Sequence, residues 1–163
     1  MQEIRQIVVP VDFNQHSDAL AEFALYMAKK MDARVTFIHV MNVLDPTDFK
    51  ADTLKQVEGN FHAYMEKNMA DLMAQVPGGA EGCSGEILTG EVADAIITYA
   101  KDKAADMIII STHGAQGIEK VLLGSVADRV IKGAHCPTVV FNPFKGARGY
   151  GMCKPLNSCI QPV

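Results

Sequence analysis

The chain has no tryptophan, no Cys-x-x-Cys pair and no apolar run long enough to cross a bilayer. Its cysteines, Cys83, Cys136, Cys153 and Cys159, have no histidine at zinc-finger spacing, so neither a redox pair nor a zinc site is predicted and the thiols are expected to be reduced. A basic start followed by an apolar leader is also missing, because Arg5 runs directly into a strand pattern. We therefore expect a cytoplasmic protein with no membrane-embedded part.

Positive charge is scarce as well. Lysine and arginine number 15 against 19 acidic residues, which gives a formal net charge of −4. A nucleic-acid-binding surface needs a basic stripe to neutralise phosphates, and the sequence has none, so we expect no nucleic acid partner. The length of 163 residues and the hydrophobic content of 48% suit one domain with its own core.

Short apolar runs alternate with amphipathic segments along the chain. The predicted strands are 7–11, 34–41, 86–89, 106–110 and 138–141, and the predicted helices are 19–30, about 48–76 with an interruption suggested near Gly59, 90–103 and 125–134. Asn14 and Ser17 are both candidates to cap the first helix. Strands that alternate with helices predict an α/β fold, a single-domain open five-stranded parallel sheet with helices on both faces.

The domain is expected to cover residues 1–142. Residues 143–163 are rich in glycine and proline, which break any periodicity. We expect this tail to be flexible or to contact another subunit.

The loop between the fourth strand and the last helix suggests a bound anion. Residues 111–125 read STHGAQGIEKVLLGS, and the backbone at Gly114 and Gly117 is expected to bend through positive φ while Gly124 allows a close approach. Free N–H groups of this loop, with the Ser125 hydroxyl, would then face the anion at a helix N-terminus. The loop matches neither the P-loop nor the dinucleotide fingerprint, so an ordinary strand-to-helix turn is supported about equally well. Ligands of such sheets bind outside the carboxyl ends of the strands, which directs attention to the loops after strands one, two and four.

Several segments together resemble the universal stress protein family. They read IVVPVDF at 7–13, FIHV at 37–40, STHG at 111–114, GSVADRV at 124–130 and CPTVV at 136–140, and the resemblance covers about residues 3 to 142. It implies a Rossmann-like fold of the adenine nucleotide α-hydrolase type. Nucleotide-binding members carry G-x2-G-x9-G-[S/T]; this chain supplies Gly114, nine residues and Gly124-Ser125, with Ser111 in place of the first glycine.

The resemblance also implies a set of ligand-binding residues for ATP, or for AMP or ADP. Asp12 would lie near the ribose and phosphates and would hold any Mg²⁺ bound to the phosphates. Pro10 and Val11, which directly precede Asp12, belong to the same set. The remaining residues would line the adenosine (Val40, Ile110 and Ser111), admit the phosphates (Gly114 and Gly124) and bind them (Ser125 and the Val126 N–H).

Three of these positions have a simpler interpretation beside the functional one. Asp12 would also serve to cap the first helix, and Val40 is a core residue in either case. A serine at position 111 costs about 1 kcal/mol or more if φ is positive there and nothing if the backbone is extended. Because Ser111 directly continues the fourth strand, we expect it to be extended. His39, in the second strand, is expected to pack and to form a local hydrogen bond.

As a function, the resemblance implies a stress-response regulator or sensor without dedicated catalysis beyond weak ATP hydrolysis. An exposed apolar strand at 138–141 would be a sheet edge, and pairing it with its copy across a two-fold axis would cover it, so a homodimer is expected. A protein partner is expected too, although the sequence does not identify it. The alternative is a dimeric interaction module that binds no nucleotide, which the serine at position 111 favours.

Overall fold

Apolar, largely β-branched runs form the strands, and the amphipathic segments between them form the helices. A computed structural model describes residues 3–43, 51–76, 82–112 and 123–143. The strands are β1 (Gln6–Pro10), β2 (Arg34–Met41), β3 (Cys83–Thr89), β4 (Met107–Ser111) and β5 (Thr138–Phe141). The helices are α1 (Ser17–Met31), α2 (Ala51–Ala74), α3 (Val92–Asp102) and α4 (Ser125–Gly133). The predicted domain boundary at residue 142 stays a prediction, because residues 144–163 lie outside the described residues.

The strands form one parallel sheet in the order β3-β2-β1-β4-β5, which confirms the predicted fold class. The chain builds outward from β1 through β2 to β3, then returns to the other side of β1 for β4 and β5. The order therefore reverses between β1 and β4. A crevice at the carboxyl ends of these two strands is the place where open α/β sheets bind ligands.

Side chains of the central strands alternate between two cores, one on each face of the sheet. Val9, Phe37 and Ile109 pack with α1 and α2 on one face. Val8, Ile38 and Ile108 pack with α3 and α4 on the other. Both faces of the sheet are thus covered, which explains why the central strands read as unbroken apolar runs.

Helix α2 continues through Gly59, so the suggested interruption there is wrong. A glycine inside a helix costs about 0.5–1 kcal/mol, which is small beside the burial of Met69, Leu72 and Val76 at the far end of this segment. Within the part of the chain that the structure describes, no helix has the length and apolarity needed to span a membrane.

The two cysteines among the described residues, Cys83 and Cys136, are free and half-buried. Burial raises the pKa of both thiols, and the negative charge of Asp106 adds to the effect at Cys136. Both therefore favour the protonated thiol, which is a poor nucleophile. Neither cysteine is in a disulfide, which agrees with the reduced thiols expected at these two positions.

An ionic cluster joins the start of α3 to Arg129 of α4, and it predicts an acid-sensitive contribution to stability. Glu91 caps α3 by accepting a hydrogen bond from the Asp94 N–H at 3.0 Å, and Arg129 Nη1 donates to the second Glu91 oxygen at 2.6 Å. The Asp94 amide and, after it, Arg129 hold the pKa of Glu91 below its ordinary value of 4.5.

A lowered folded-state pKa stabilises the protein above the unfolded pKa, and this contribution is lost as the pH falls through the folded value. We expect Glu91→Gln to melt below the wild type at neutral pH, and the gap to close as the pH falls through the lowered folded-state pKa of Glu91, below which both side chains are neutral. Thermal melts of both proteins across this range measure it. A gap of constant size would contradict the assignment.

Candidate functional site

The segment that leaves β1 is anchored to β2 at both backbone groups of Val11. The Val11 N–H donates to the Ile38 carbonyl at 2.8 Å, and the Val11 carbonyl accepts from His39 Nδ1 at 2.8 Å. His39 was expected to form a local hydrogen bond; its partner is instead Val11, 28 positions away in the chain. Pro10 ends β1, Val11 is buried, and Asp12 then emerges at the carboxyl edge of the sheet with its side chain exposed.

The Asp12 carboxylate organises the turn before α1. Its Oδ1 accepts from the Asn14 N–H at 3.3 Å and from Ser17 Oγ at 3.1 Å, and its Oδ2 accepts from Asn14 Nδ2 at 2.8 Å. The structural interpretation of Asp12 is therefore correct in part, since it supports the start of α1. The expectation that Asn14 or Ser17 caps α1 is wrong: the N-cap position is His16, and no side chain caps it.

At the end of β4, Ile110 is buried and Ser111 is the last strand residue, opposite Phe141 of β5. Ser111 is therefore extended, as expected, and does not occupy a left-handed conformation. A serine at the position of the family's first glycine causes no backbone strain here.

The base of the glycine loop is closed by two backbone hydrogen bonds. The Thr112 N–H donates to the Phe141 carbonyl at 2.9 Å, and the Gly124 N–H donates to the Thr112 carbonyl at 2.9 Å. The Gly124 amide is thus used inside the protein, which corrects the expectation that it faces an anion. Residues 113–122, including Gly114 and Gly117, lie outside the described residues.

The close approach expected at Gly124 is found, and its neighbour is the protein backbone. A Cβ at this position would lie 3.1 Å from the Thr112 carbonyl oxygen. The φ of −60° at Gly124 suits any residue, so space and not conformation accounts for the glycine.

Helix α4 begins at this edge without a side-chain cap. Its N-cap residue is Gly124, which has no side chain that could cap the helix. Ser125 is exposed and Val126 is half-buried. The first N–H groups of a helix have no acceptor within the helix, and the macrodipole adds partial positive charge there. The start of α4 therefore offers amide donors and the Ser125 hydroxyl to an anion.

Two of the predicted adenosine-lining residues, Val40 and Ile110, lie on one side of the sheet, as does Val126, whose N–H is predicted to bind phosphate. Ile110 is part of the core between the sheet and helices α3 and α4, and Val40 and Val126 pack against the same core from its edge. These three apolar residues thus belong to one core, whereas Val11 belongs to the opposite core.

A polar cleft of about 210 Å³ opens on the other side of the Asp12 turn, between α1 and α2. Its lining includes Phe13, Asn14 and the carboxylates of Asp18 and Asp71. Two negative charges make this cleft a poor place for a phosphate, so the start of α4 is the better anion site. Among the described residues, no group of three potential metal ligands gathers, and Asp12 as a holder of nucleotide-bound Mg²⁺ stays a prediction.

Sequence reasoning missed Phe13. Its φ is +55°, a left-handed conformation that a bulky residue rarely adopts, and its ring lies 4.7 Å from that of His39. A glycine or asparagine would have signalled this backbone bend, but phenylalanine does not.

Comparison with known proteins decides the family. The sequence profile described as Universal stress protein family matches residues 3–142. A relative from Methanocaldococcus jannaschii, Universal stress protein MJ0531, is 36% identical over 143 residues, which cover 83% of this chain and 81% of the relative. The chain belongs to the universal stress protein family.

Solved structures of universal stress proteins share the fold. UspA from Lactobacillus plantarum superposes with a TM-score of 0.75 at 23% identity and covers 86% of this chain and 99% of its own. A universal stress protein in complex with cAMP gives 0.61 at 19% identity, covering 86% and 98%. One from Archaeoglobus fulgidus in complex with dAMP gives 0.54 at 21% identity, covering 85% and 98%. At these identities the likeness shows the fold alone.

The close contact at Gly124 can be tested by replacing this glycine with alanine, and the same replacement at Gly59 is the matched control. Gly124→Ala is expected to cost about 1 kcal/mol, because the new methyl group crowds the Thr112 carbonyl and alanine is a poor N-cap. Gly59→Ala is expected to gain about 0.5–1 kcal/mol, because nothing lies within 4 Å and alanine favours the helix. Urea unfolding of both variants measures the difference, and equal effects would contradict the close contact at the loop base.

Proposed function

We propose that this universal stress protein binds ATP, or another adenine nucleotide such as AMP or ADP, as a stress-response regulator or sensor in the cytoplasm. The observation that carries the proposal is the uncapped start of α4 at the sheet edge where the strand order reverses, with the exposed Asp12 carboxylate at the end of β1. Amide donors of a helix N-terminus favour phosphate, and the crevice at the reversal is where nucleotides bind in such sheets.

Each predicted residue receives a role in this proposal. The Ser125 hydroxyl and the Val126 N–H donate to phosphate oxygens, Gly124 keeps the start of α4 close to Thr112, and Gly114 admits the phosphates. Pro10 and Val11 lead the backbone from β1 to Asp12, and Asp12 lies beside the ribose and any Mg²⁺ bound to the phosphates. Val40 and Ile110 provide apolar surface for the adenine, and the extended Ser111 passes beside the adenosine.

The solved relatives support the chemistry of the ligand. The two complexes named above hold cAMP and dAMP, which share an adenine base and a phosphate group. The proposal extends this to ATP with Mg²⁺. It includes no dedicated catalysis: Asp12 bound to Mg²⁺ would permit slow hydrolysis, but the described residues offer no activated nucleophile beside it.

We also propose a homodimer through β5 and a protein partner that responds to the nucleotide. Strand β5 is an edge of the sheet, and Val140 on it is 38% exposed. Pairing with its copy would cover this edge. Nucleotide binding would then change the surface that the dimer offers to its partner, provided that the two states differ in nucleotide affinity.

A second candidate is a dimeric interaction module that binds no nucleotide. Two observations favour it: the Gly124 amide is already bonded to Thr112, and the Asp12 carboxylate is already bonded to Asn14 and Ser17. In this case the loop is structural and the function resides in the dimer surface alone.

Titration with nucleotides separates the two candidates. Purified protein, stripped of ligand, is titrated calorimetrically with ATP, ADP and AMP, with GTP as the control for the base. Ligand at 100 times its Kd stabilises the folded state by about 2.7 kcal/mol, so a melting-temperature increase of several degrees should accompany binding. The absence of heat and of a melting shift at millimolar ATP, in protein shown to be folded, would rule out the first candidate and leave the second.

A further inference from the structure

Two contacts fix the direction in which the backbone leaves β1. The Val11 N–H and carbonyl are both bonded to β2, to the Ile38 carbonyl and to His39 Nδ1, each at 2.8 Å. A carbonyl oxygen only accepts, so His39 carries its hydrogen on Nδ1. The residue immediately before Asp12 is therefore held by a side chain from the neighbouring strand.

The residue immediately after Asp12 is held in an unfavourable backbone conformation. Phe13 has a φ of +55°, and the other positive-φ residues that are not glycine among the described ones, Asp32 and Ala104, follow helix ends, where this conformation is common. Phe13 instead precedes a helix. Such strain persists only where the surroundings hold it, and here the Phe13 ring packs on the His39 ring with a centroid distance of 4.7 Å and also on the core of α1 and α2.

We propose that His39 and Phe13 are positioning residues for Asp12 in the nucleotide site, which rests on the proposed function. One imidazole acts on both neighbours of Asp12: its Nδ1–H holds the Val11 carbonyl, and its ring face supports Phe13. With the backbone fixed on both sides, the Asp12 side chain leaves the sheet edge in one direction. Asn14 and Ser17 then hold its oxygens from the α1 side.

The test separates the hydrogen bond from the ring. Asparagine at position 39 places an amide N–H near the location of Nδ1, and leucine keeps apolar bulk but has no donor. We expect His39→Leu to weaken ATP binding about tenfold, and His39→Asn to bind ATP within about threefold of the wild type. Coupling energies between residues of one hydrogen-bond network correspond to affinity changes of this size. Ile96→Val, in the core of the opposite face, controls for general loss of stability.

A double-mutant cycle shows whether His39 acts through Asp12. In an Asp12→Asn background, His39→Leu should change ATP affinity by less than about twofold, because the group that it positions has lost its charge. An equal tenfold loss in both backgrounds would overturn the proposal. If His39→Leu does not fold, Phe13→Gly takes its place, since glycine accepts the left-handed backbone and removes only the ring.

A measurement without nucleotide keeps this proposal separate from the proposed function. Amide hydrogen exchange at Asn14 reports its bond to Asp12 Oδ1. Exchange at Asn14 should accelerate about tenfold in His39→Leu and stay near the wild-type rate in His39→Asn and Ile96→Val. Wild-type protein that binds no nucleotide defeats the proposed function, and an unchanged Asn14 exchange rate in His39→Leu defeats the positioning of Asp12.

Discussion

Ser125→Asp is expected to weaken ATP binding by about 100-fold or more while leaving the folded protein as stable as before or slightly more stable. In the proposed site a carboxylate at this position would face the phosphates directly, and like charges about 4 Å apart repel by about 4 kcal/mol at an effective dielectric constant of 20. The same charge interacts favourably with the N-terminus of α4, which is worth about 0.3–1 kcal/mol. Binding and stability therefore change in opposite directions.

This opposition makes the variant informative. Ser125→Ala removes only the hydroxyl donor and should weaken binding about tenfold, as expected for one hydrogen bond to a charged group. Thr98→Asp adds the same charge at an exposed position of α3 and should leave ATP affinity within about twofold. Calorimetric titration with parallel melting curves measures all three variants. Equal affinities for the wild type and Ser125→Asp would place the phosphates elsewhere.

Phe37→Ala is expected to cost about 3–5 kcal/mol of the free energy of unfolding, a large share of the 5–15 kcal/mol typical of a domain. The Phe37 side chain is 0% exposed, lies on β2 between Val9 and Gly85, and packs in the core shared with α1 and α2. Its removal leaves a cavity that the covered sheet cannot close.

The control is Val57→Ala on α2, where the side chain is 37% exposed and the loss should be about 0.5 kcal/mol or less. Urea unfolding of both variants gives the two costs. A cost below about 1 kcal/mol for Phe37→Ala would contradict the packing of this core.

The architecture could be predicted well from the sequence, because apolar runs and amphipathic segments alternate along the chain and each is recognisable from neighbouring residues alone. Strands β2 and β5 have the predicted bounds, since both are apolar runs between clear breaks. Strand β3 was predicted too short at 86–89: its first half, around Gly85, is polar and exposed. Only the approach of Met69 from α2 shows why a glycine is used there, and sequence spacing does not reveal such a contact.

At the candidate site, the continuation of a strand into the next residue could be predicted, but hydrogen bonds between residues distant in the sequence could not. The extended Ser111 follows from the apolar run before it. The use of the Gly124 amide by Thr112 depends on two segments twelve residues apart meeting at the loop base. Asn14 and Ser17 were expected to cap α1, but short polar side chains have several backbone and side-chain partners within reach, and here they bond at the Asp12 turn instead.

The most direct test of the nucleotide site is an amide-resolved NMR titration of the isotope-labelled protein with ATP. If phosphate binds at the start of α4 beside Asp12, the amide signals of Asp12, Ser125 and Val126 should shift together and saturably, while those of Asn68 and Gln75 in the cleft between α1 and α2 stay in place. No shifts at millimolar ATP, or shifts confined to the cleft, would contradict binding at this edge of the sheet.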